Sequence, residues 1–254
     1  MRLKLCLAYD GTGFSGWQIQ ATPNPPPTIQ GAVETALFQL TGTSIRVLGA
    51  GRTDAGVHAI GQVCHCDVPR RDWDWQKRLN AVLPQTIRIL GAKEADPAFH
   101  ARRDATGKIY IYDLWPEQTF VAPLWRNHVF QCGSLDLGAI RSGLQLFLGE
   151  HDFASFQNSG AAMQSTRRII TDIRLTELPG PDYFPTCASA LRLTITGNGF
   201  LKQMVRNMVG FMLWIGRHKS GWEALPAILA AKRRAALPSP AAPALGLTLA
   251  RVLY

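Results

Sequence analysis

Segments with the hydrophobic period of β-strands and segments with that of helices follow one another along this chain without a regular order. Residues 2–9 alternate apolar and polar side chains, as a strand with one buried face does. Residues 29–40 instead repeat apolar side chains at helical spacing, with Thr28 as a candidate N-cap and Thr41–Gly42 as a stop. Because strands do not alternate strictly with helices, the sequence predicts an α+β protein with mainly antiparallel strand pairing.

The same criteria predict the remaining elements in both halves of the chain. Further strands are expected at 45–50, 60–68, 86–94, 108–115, 168–178, 188–197 and 247–254, and further helices at 73–83, 136–148, 201–216 and 222–232.

The length of 254 residues and a hydrophobic content of 46% allow one large domain or two medium ones. Polar and charged residues interrupt the hydrophobic pattern between 95 and 106, and a new strand-like run begins at Lys108. We therefore expect an amino-terminal subdomain at 1–104 and a carboxy-terminal subdomain at 105–254.

The net charge is +9, from 27 Lys plus Arg against 18 Asp plus Glu, and it favours a polyanionic partner, first of all nucleic acid. The simpler alternative is a basic protein with no such ligand. The positive residues form short clusters, Arg102–Arg103, Arg167–Arg168 and Lys232–Arg234, rather than a tail. The last cluster follows a predicted helix, where cations offset the helix dipole, so we interpret it as structural.

The five cysteines are odd in number and scattered: Cys6, Cys64, Cys66, Cys132 and Cys187. On a strand, Cys64 and Cys66 point to one face and His65 to the other, and no second Cys/His pair has zinc-ligand spacing. We therefore expect buried, reduced thiols without a metal, in the cytoplasm. The apolar stretch 208–215 is far shorter than the roughly 20 residues that span a bilayer, so no membrane partner is expected.

The octapeptide Gly51–His58, with the sequence GRTDAGVH, reads as a loop between two predicted strands. Its glycines allow a positive φ or close approach of another backbone, and Arg52 offers a planar cation suited to phosphate. Asp54 is then a carboxylate held beside a cation. Taken alone, this pattern admits a structural role, in which Asp54 hydrogen-bonds a turn, as well as a catalytic one.

The octapeptide resembles the signature of the tRNA pseudouridine synthase A family, and the resemblance extends along nearly the whole chain. Further segments that resemble the family follow in order: Tyr9–Gly11, Phe14–Gln20, Asn80–Pro84, Phe99–Arg102, Ala105–Tyr112, Gly149–Phe156, Phe200–Gly210 and Ala242–Leu247.

This resemblance implies a pseudouridine synthase fold, with two α/β subdomains sharing a mainly antiparallel sheet and a central active cleft between them. It also implies a homodimer that binds the anticodon arm of tRNA and isomerises uridine at tRNA positions 38, 39 and 40. The reaction rebuilds the glycosidic bond in place, so neither a metal nor another cofactor is required. Asp54 matches the catalytic nucleophile, which attacks ribose C1′ or uracil C6, or assists elimination to a glycal.

The resemblance assigns further site residues. Tyr110 matches the tyrosine that stacks on the target base, and Arg206 matches the arginine that pairs with the aspartate and keeps it ionised. Arg52 is a candidate to brace the space left by a flipped nucleotide. Lys108 stands where the family usually has arginine, which puts any bidentate contact there in doubt.

Gln18 and His58 complete the candidate substrate-binding residues. Trp17 and Gln18 precede the proline-rich segment 22–28, which cannot form a helix or a sheet ladder and is expected to project as a loop. By resemblance this loop grips tRNA, although a connector without a role is the alternative. Trp17 and Gln18 could contact RNA or pack beneath the loop. His58, like His100 and His151, suits acid–base chemistry by residue type, but hydrogen bonding is its simpler role.

Two other classes of function fit parts of the sequence. An RNA-binding protein without catalytic activity would explain the charge and the aromatic residues, but it gives no reason for an aspartate beside arginines. A carboxylate-dependent glycoside hydrolase would need two facing acids, and no second acidic residue stands in a matching motif.

Overall fold

A computed structural model describes residues 1–69, 72–116, 121–158, 165–178 and 190–254. The chain divides into two units, one made of Met1–Thr106 together with Thr248–Tyr254, the other of Gly107–Leu247. Each unit contains both a sheet and helices, so the α+β class is confirmed.

The part of the first unit that the structure describes contains five strands and two helices. The elements are β1 (Arg2–Tyr9), α1 (Ile29–Thr41), β2 (Leu48–Gly49), β3 (His58–Asp67), α2 (Trp75–Val82), β4 (Ile87–Ala95) and, from the end of the chain, β10 (Leu247–Leu253). The strand order is β4-β1-β3-β10, and β2 pairs with β3. β1 is antiparallel to both β3 and β4, whereas β10 runs parallel to β3.

The first strand and the first helix form as their sequence patterns predict. Alternate residues of β1 are buried, which places its apolar side chains in the core. The Thr28 side chain accepts a hydrogen bond from Gly31 N, so it caps α1. The helix ends at Thr41 because Gly42 adopts a left-handed conformation with φ +72°.

The predicted strand at 45–50 is wrong except at Leu48–Gly49. The reason is a side-chain contact with α1. Val47 N donates to the Glu34 carboxylate at 2.9 Å, and Gln30 Nε2 donates to Val47 O at 3.1 Å. Because these two side chains bond the backbone N–H and C=O of Val47, that residue does not pair with a neighbouring strand.

In its described residues, the second unit contains five strands and three α-helices. The elements are β5 (Gly107–Trp115), β6 (Phe130–Gln131), α3 (Leu137–Gln145), β7 (Gly149–Asp152), β8 (Arg167–Leu178), β9 (Ala190–Gly197), α4 (Met204–His218) and α5 (Leu225–Ala231). The strand order is β5-β9-β8-β7 with antiparallel neighbours, and β6 pairs in parallel with β5. Helix α3 packs against α4, and the buried phenylalanines Phe147, Phe153, Phe156 and Phe211 form an aromatic cluster.

Helix ends in the second unit differ from the prediction for local reasons. Helix α4 begins at Met204 rather than 201 because Gln203 has a positive φ of 59°, and it extends to His218, before the left-handed Lys219. The helix predicted at 136–148 ends at Gln145. The one predicted at 222–232 splits into a short 3₁₀ turn and α5.

The segment Cys64–Cys66 lies in β3 with all three side chains buried, so the expected burial of these residues is confirmed. His65 Nδ1 accepts a hydrogen bond from Ala101 N at 3.1 Å. The described cysteines Cys6, Cys64, Cys66 and Cys132 are free thiols, and Cys187 lies outside the described residues. In the described part of the chain, no helix combines the length and apolar character needed to cross a membrane.

Candidate active site

The loop that carries Asp54 joins β2 to β3 in the first unit, as predicted. Thr53 is buried, Asp54 is half-buried and Arg52 is exposed. Val57 N donates to Asp54 O at 3.1 Å, which closes a turn, and Gly56 takes the positive φ of 76° that this turn requires. The loop therefore leaves the Arg52 side chain and part of Asp54 accessible while its backbone is held.

The segment after β1 lies directly on this loop. Trp17 N donates to Thr53 O at 3.1 Å, and Gly56 N donates to Phe14 O at 3.3 Å. A Cβ atom at Gly16 would come within 2.5 Å of Thr53 O, and one at Gly11 within 2.2 Å of Val57 O. The two backbones approach so closely that a side chain at either glycine would collide with the loop.

Trp17 packs in the core of the first unit beside this contact. Its side chain is buried, its ring centroid lies 6.2 Å from that of Tyr9, and a Cβ atom at Gly49 would come within 2.6 Å of its ring. For Trp17 the structure thus favours packing over an RNA contact. Gln18 is half-buried, and its role as a substrate contact stays a prediction.

His58 is buried at the start of β3, where the loop ends. Its Nδ1 atom accepts a hydrogen bond from Gly11 N at 3.1 Å and lies 3.1 Å from Asp10 Oδ1. The hydrogen-bonding role that the sequence left open is therefore present, and it ties β3 to the segment after β1.

The proline-rich segment 22–28 has no regular secondary structure, and residues 20–25 are exposed, as expected for a projecting loop. Ser15 N donates to Pro27 O at 2.8 Å, so the loop's end is attached to the segment that covers Asp54's loop.

The second unit carries Lys108 and Tyr110 on β5. Tyr110 is only 7% exposed, and its ring packs edge-on against Phe200, with centroids 5.1 Å apart and planes at 84°. Lys108 is half-buried and lies two residues earlier, so it shares the strand face of Tyr110. Phe200 therefore fixes the plane of the Tyr110 ring.

Arg206 lies in the first turn of α4 and is half-buried. Its Nε donates to Ala242 O at 2.7 Å, and Ala242 N donates to Arg206 O at 2.9 Å. A Cβ atom at Gly210, one turn later, would come within 2.1 Å of Pro240 O. Because Nε donates to this carbonyl, the guanidinium is held against the segment around Ala242.

Residues 242–246, which include the Ala242 that bonds Arg206, also contact Tyr112 of β5. Tyr112 OH donates to Pro243 O at 2.9 Å, and a Cβ atom at Gly246 would come within 2.7 Å of the Tyr112 ring. Burial raises the pKa of the Tyr112 hydroxyl, and the nearby positive charge of Arg206 opposes that rise. Residues 242–246 thus fix both Arg206 and the strand that carries Tyr110.

Sequence reasoning missed the buried amides at the start of α4. Asn207 Nδ2 donates to Phe156 O at 2.7 Å and to Asn158 Oδ1 at 3.0 Å, and Asn158 Nδ2 donates to Gln203 Oε1 at 2.6 Å. These contacts anchor the helix turn that carries Arg206. The sequence does show an asparagine inside an apolar helix. Because a buried amide tends to be hydrogen-bonded, that residue indicated polar contacts at this position.

Comparison with known proteins identifies the family of the chain. The family model for tRNA pseudouridine synthase matches residues 5–103 and 144–254. The whole chain is 47% identical to the tRNA pseudouridine synthase A of Maridesulfovibrio salexigens, covering 90% of that protein, and 40% identical to that of Geobacillus kaustophilus, covering 94%. Over 93% of its length it is 38% identical to the Neisseria gonorrhoeae protein of the same name, covering 86% of it. The chain belongs to the tRNA pseudouridine synthase family.

Proposed function

We propose that this protein isomerises uridine to pseudouridine in the anticodon stem-loop of tRNA, at positions 38, 39 and 40, with Asp54 as the nucleophile. The observation that carries the proposal is a partly accessible carboxylate on a loop whose backbone is held from two sides, in a chain that matches its relatives end to end. The relatives' name, tRNA pseudouridine synthase A, supports the reaction and the substrate.

The reaction breaks the bond between uracil N1 and ribose C1′ and forms one between C5 and C1′. C5 loses its proton and N1 gains one, so no oxidant, reductant or added group is needed. Asp54 attacks C1′ or C6, or removes a ribose proton to give a glycal, and each route uses an ionised carboxylate. A base within a stem is inaccessible, so the target nucleotide must be flipped out of the stack.

We assign the other residues of the site to holding the base and the carboxylate. The family resemblance assigns the ring of Tyr110 to stacking on uracil, because aromatic faces bind unstacked bases. The family resemblance assigns Arg206 to pairing with Asp54, whose attack needs the ionised carboxylate. Arg52, being exposed, is available to occupy the space of the flipped base. Lys108, Gln18 and His58 are assigned to substrate binding, with Lys108 offering a point charge to phosphate.

Formation of pseudouridine in unmodified tRNA tests the proposal directly. The wild-type protein is incubated with the tRNA, and carbodiimide-dependent primer stops map the product to individual positions. Stops at 38, 39 or 40 support the function. Binding without any stop would indicate an RNA-binding protein instead, and release of free uracil would indicate a glycosidase.

Replacement of Arg206 by Lys should lower the single-turnover rate roughly 10- to 100-fold while tRNA affinity changes little, because the charge stays and the fork is lost. Lysine cannot both reach Ala242 O and bind a carboxylate through two parallel hydrogen bonds. Arg217→Lys, an exposed arginine on the same helix, serves as the control. If Arg206→Lys weakened only affinity, Arg206 would be a phosphate contact.

Binding of tRNA should fall steeply with salt, because a chain of charge +9 with exposed arginines in both units contacts mainly phosphates. Log affinity should decrease linearly with log salt, with a slope of roughly −0.9 per phosphate neutralised on duplex. Full-length tRNA should bind more tightly than the isolated anticodon stem-loop, and shortening the loop at 23–27 should reduce this difference. Equal affinities with a flat salt dependence would contradict extended backbone recognition.

We further propose a cytoplasmic homodimer. The family resemblance supports the dimer, and the free thiols of the described cysteines fit a reducing compartment. Light scattering of the purified protein gives the mass in solution, and a mass of one chain would contradict the dimer.

A further inference from the structure

A buried cluster of hydrogen-bonding side chains lies beneath the loop that carries Asp54. It consists of Tyr9 at the end of β1, Thr53 in the loop and Gln62 in β3, which are 3%, 6% and 0% exposed. Tyr9 OH and Thr53 Oγ1 are 2.9 Å apart, and either hydroxyl can donate. Leaving polar groups this deeply buried without partners costs free energy, so their pairing constrains the backbone that bears them.

Gln62 links this pair to the beginning of Asp54's loop. Its Nε2 atom donates to Gly51 O at 2.9 Å and reaches Tyr9 OH at 3.5 Å, while its Oε1 accepts from Val63 N at 3.1 Å. The cluster therefore holds the loop at Gly51 through a carbonyl and at Thr53 through a hydroxyl. Asp54 is the next residue along the chain.

The chemistry of Tyr9 suits a permanent contact. Burial raises the pKa of Tyr9 to about 12, so the hydroxyl stays neutral beside Asp54 even in mildly alkaline solution, where a free tyrosine begins to ionise. The ring is also fixed, since it packs near Trp17 with centroids 6.2 Å apart.

We propose that Tyr9, Thr53 and Gln62 are positioning residues for the Asp54 carboxylate. They contact neither substrate nor the reacting atoms. They hold the backbone on the amino-terminal side of Asp54, so that the carboxylate meets the flipped nucleotide without reorganising. This inference rests on the proposed function, because it assigns these residues to the same reaction.

The test is a double-mutant cycle on single-turnover rates, with tRNA affinity measured separately. Tyr9→Phe and Thr53→Val each remove one hydroxyl and keep the side-chain volume nearly unchanged. Each should lower the rate about tenfold and leave the dissociation constant within about twofold, because small displacements of a nucleophile slow the chemical step more than binding. The double variant should also be about tenfold slower, since both changes break one shared hydrogen bond.

Two comparisons separate positioning from general stability. Tyr254→Phe removes another tyrosine hydroxyl of the same unit, which donates to Ala101 O at 2.8 Å, and should leave the rate unchanged. Thr53→Ser restores a hydroxyl and should recover most of the rate lost in Thr53→Val. The proposal is overturned if Tyr9→Phe and Thr53→Val lower the rate no more than Tyr254→Phe does. It is also overturned if the rate losses of the two single variants multiply in the double variant.

Hydrogen exchange of the loop amides gives a readout that needs no activity. In Tyr9→Phe, the amides of Gly56 and Val57 should exchange faster than in the wild type, whereas in Tyr254→Phe they should not. Unchanged exchange would overturn the positioning role even if the wild type makes pseudouridine. A wild type that makes no pseudouridine would refute the proposed function, and with it the catalytic part of this proposal, whatever the exchange result.

Discussion

Replacement of Asp54 by Asn should lower pseudouridine formation by at least about 10⁴-fold while tRNA binding is retained. Asparagine has nearly the same volume and keeps the hydrogen-bonding capacity, but its amide cannot act as the nucleophile. Single-turnover product formation and equilibrium binding, measured on the same tRNA, separate the two effects.

Asp96→Asn is the matched control for the loss of one negative charge. Asp96 is exposed and accepts a hydrogen bond from Ala98 N through Oδ1, which an asparagine oxygen can also accept. This variant should retain the wild-type rate. Turnover by Asp54→Asn near the wild-type rate would refute the nucleophile assignment, and a parallel loss of binding would make Asp54 a structural residue of the loop.

Replacement of Gly16 by Ala should destabilise the first unit by about 3 kcal/mol and reduce activity as well. Gly16 has φ +85°, and its Cβ atom would lie 2.5 Å from Thr53 O and 3.0 Å from the carbonyl carbon of Asp54. The backbone of Asp54 must therefore move. Urea unfolding gives the free-energy change, and single-turnover kinetics give the loss of rate.

Gly13→Ala separates backbone strain from collision. Gly13 has a similar φ of +79°, but a Cβ atom there would meet nothing within 4 Å. Its cost should be only the roughly 1 to 2 kcal/mol of placing alanine in a left-handed conformation, with little change in rate. If both variants lost the same stability and activity, the close approach of Gly16 to the loop would be irrelevant to the site.

Sequence patterns predicted the elements that depend on neighbouring residues. The helix that starts after Thr28 and stops at Gly42 has its cap, its apolar stripe and its terminator within one short segment. The strand at 45–50 could not be judged in this way, because Glu34 and Gln30 of α1 take up the backbone groups of Val47. Strands β6 and β7, of two and four residues, are too short to show a period.

The candidate site likewise contains residues that the sequence predicted and contacts that it did not predict. The sequence predicted four site residues because they lie in motifs that resemble a family: Asp54, Arg52, Tyr110 and Arg206. It did not predict the residues that contact them. The contact between Arg206 and Ala242 joins residues 36 positions apart, and that between Tyr9 and Thr53 joins residues 44 apart. The hydrophobic periodicity of a short segment cannot reveal such pairs, because they depend on which strands and segments come together in the fold.

The return of Thr248–Tyr254 to the first unit affects the order in which the protein can fold during synthesis. On the ribosome, all of Gly107–Leu247 emerges before β10 is available. Until then β3 lacks its parallel neighbour, and Thr106 N lacks its acceptor, Leu253 O. The nascent first unit therefore leaves the edge of β3 at His58–Ala59 unpaired for the whole time needed to make the second unit, and unpaired strand edges can recruit other chains.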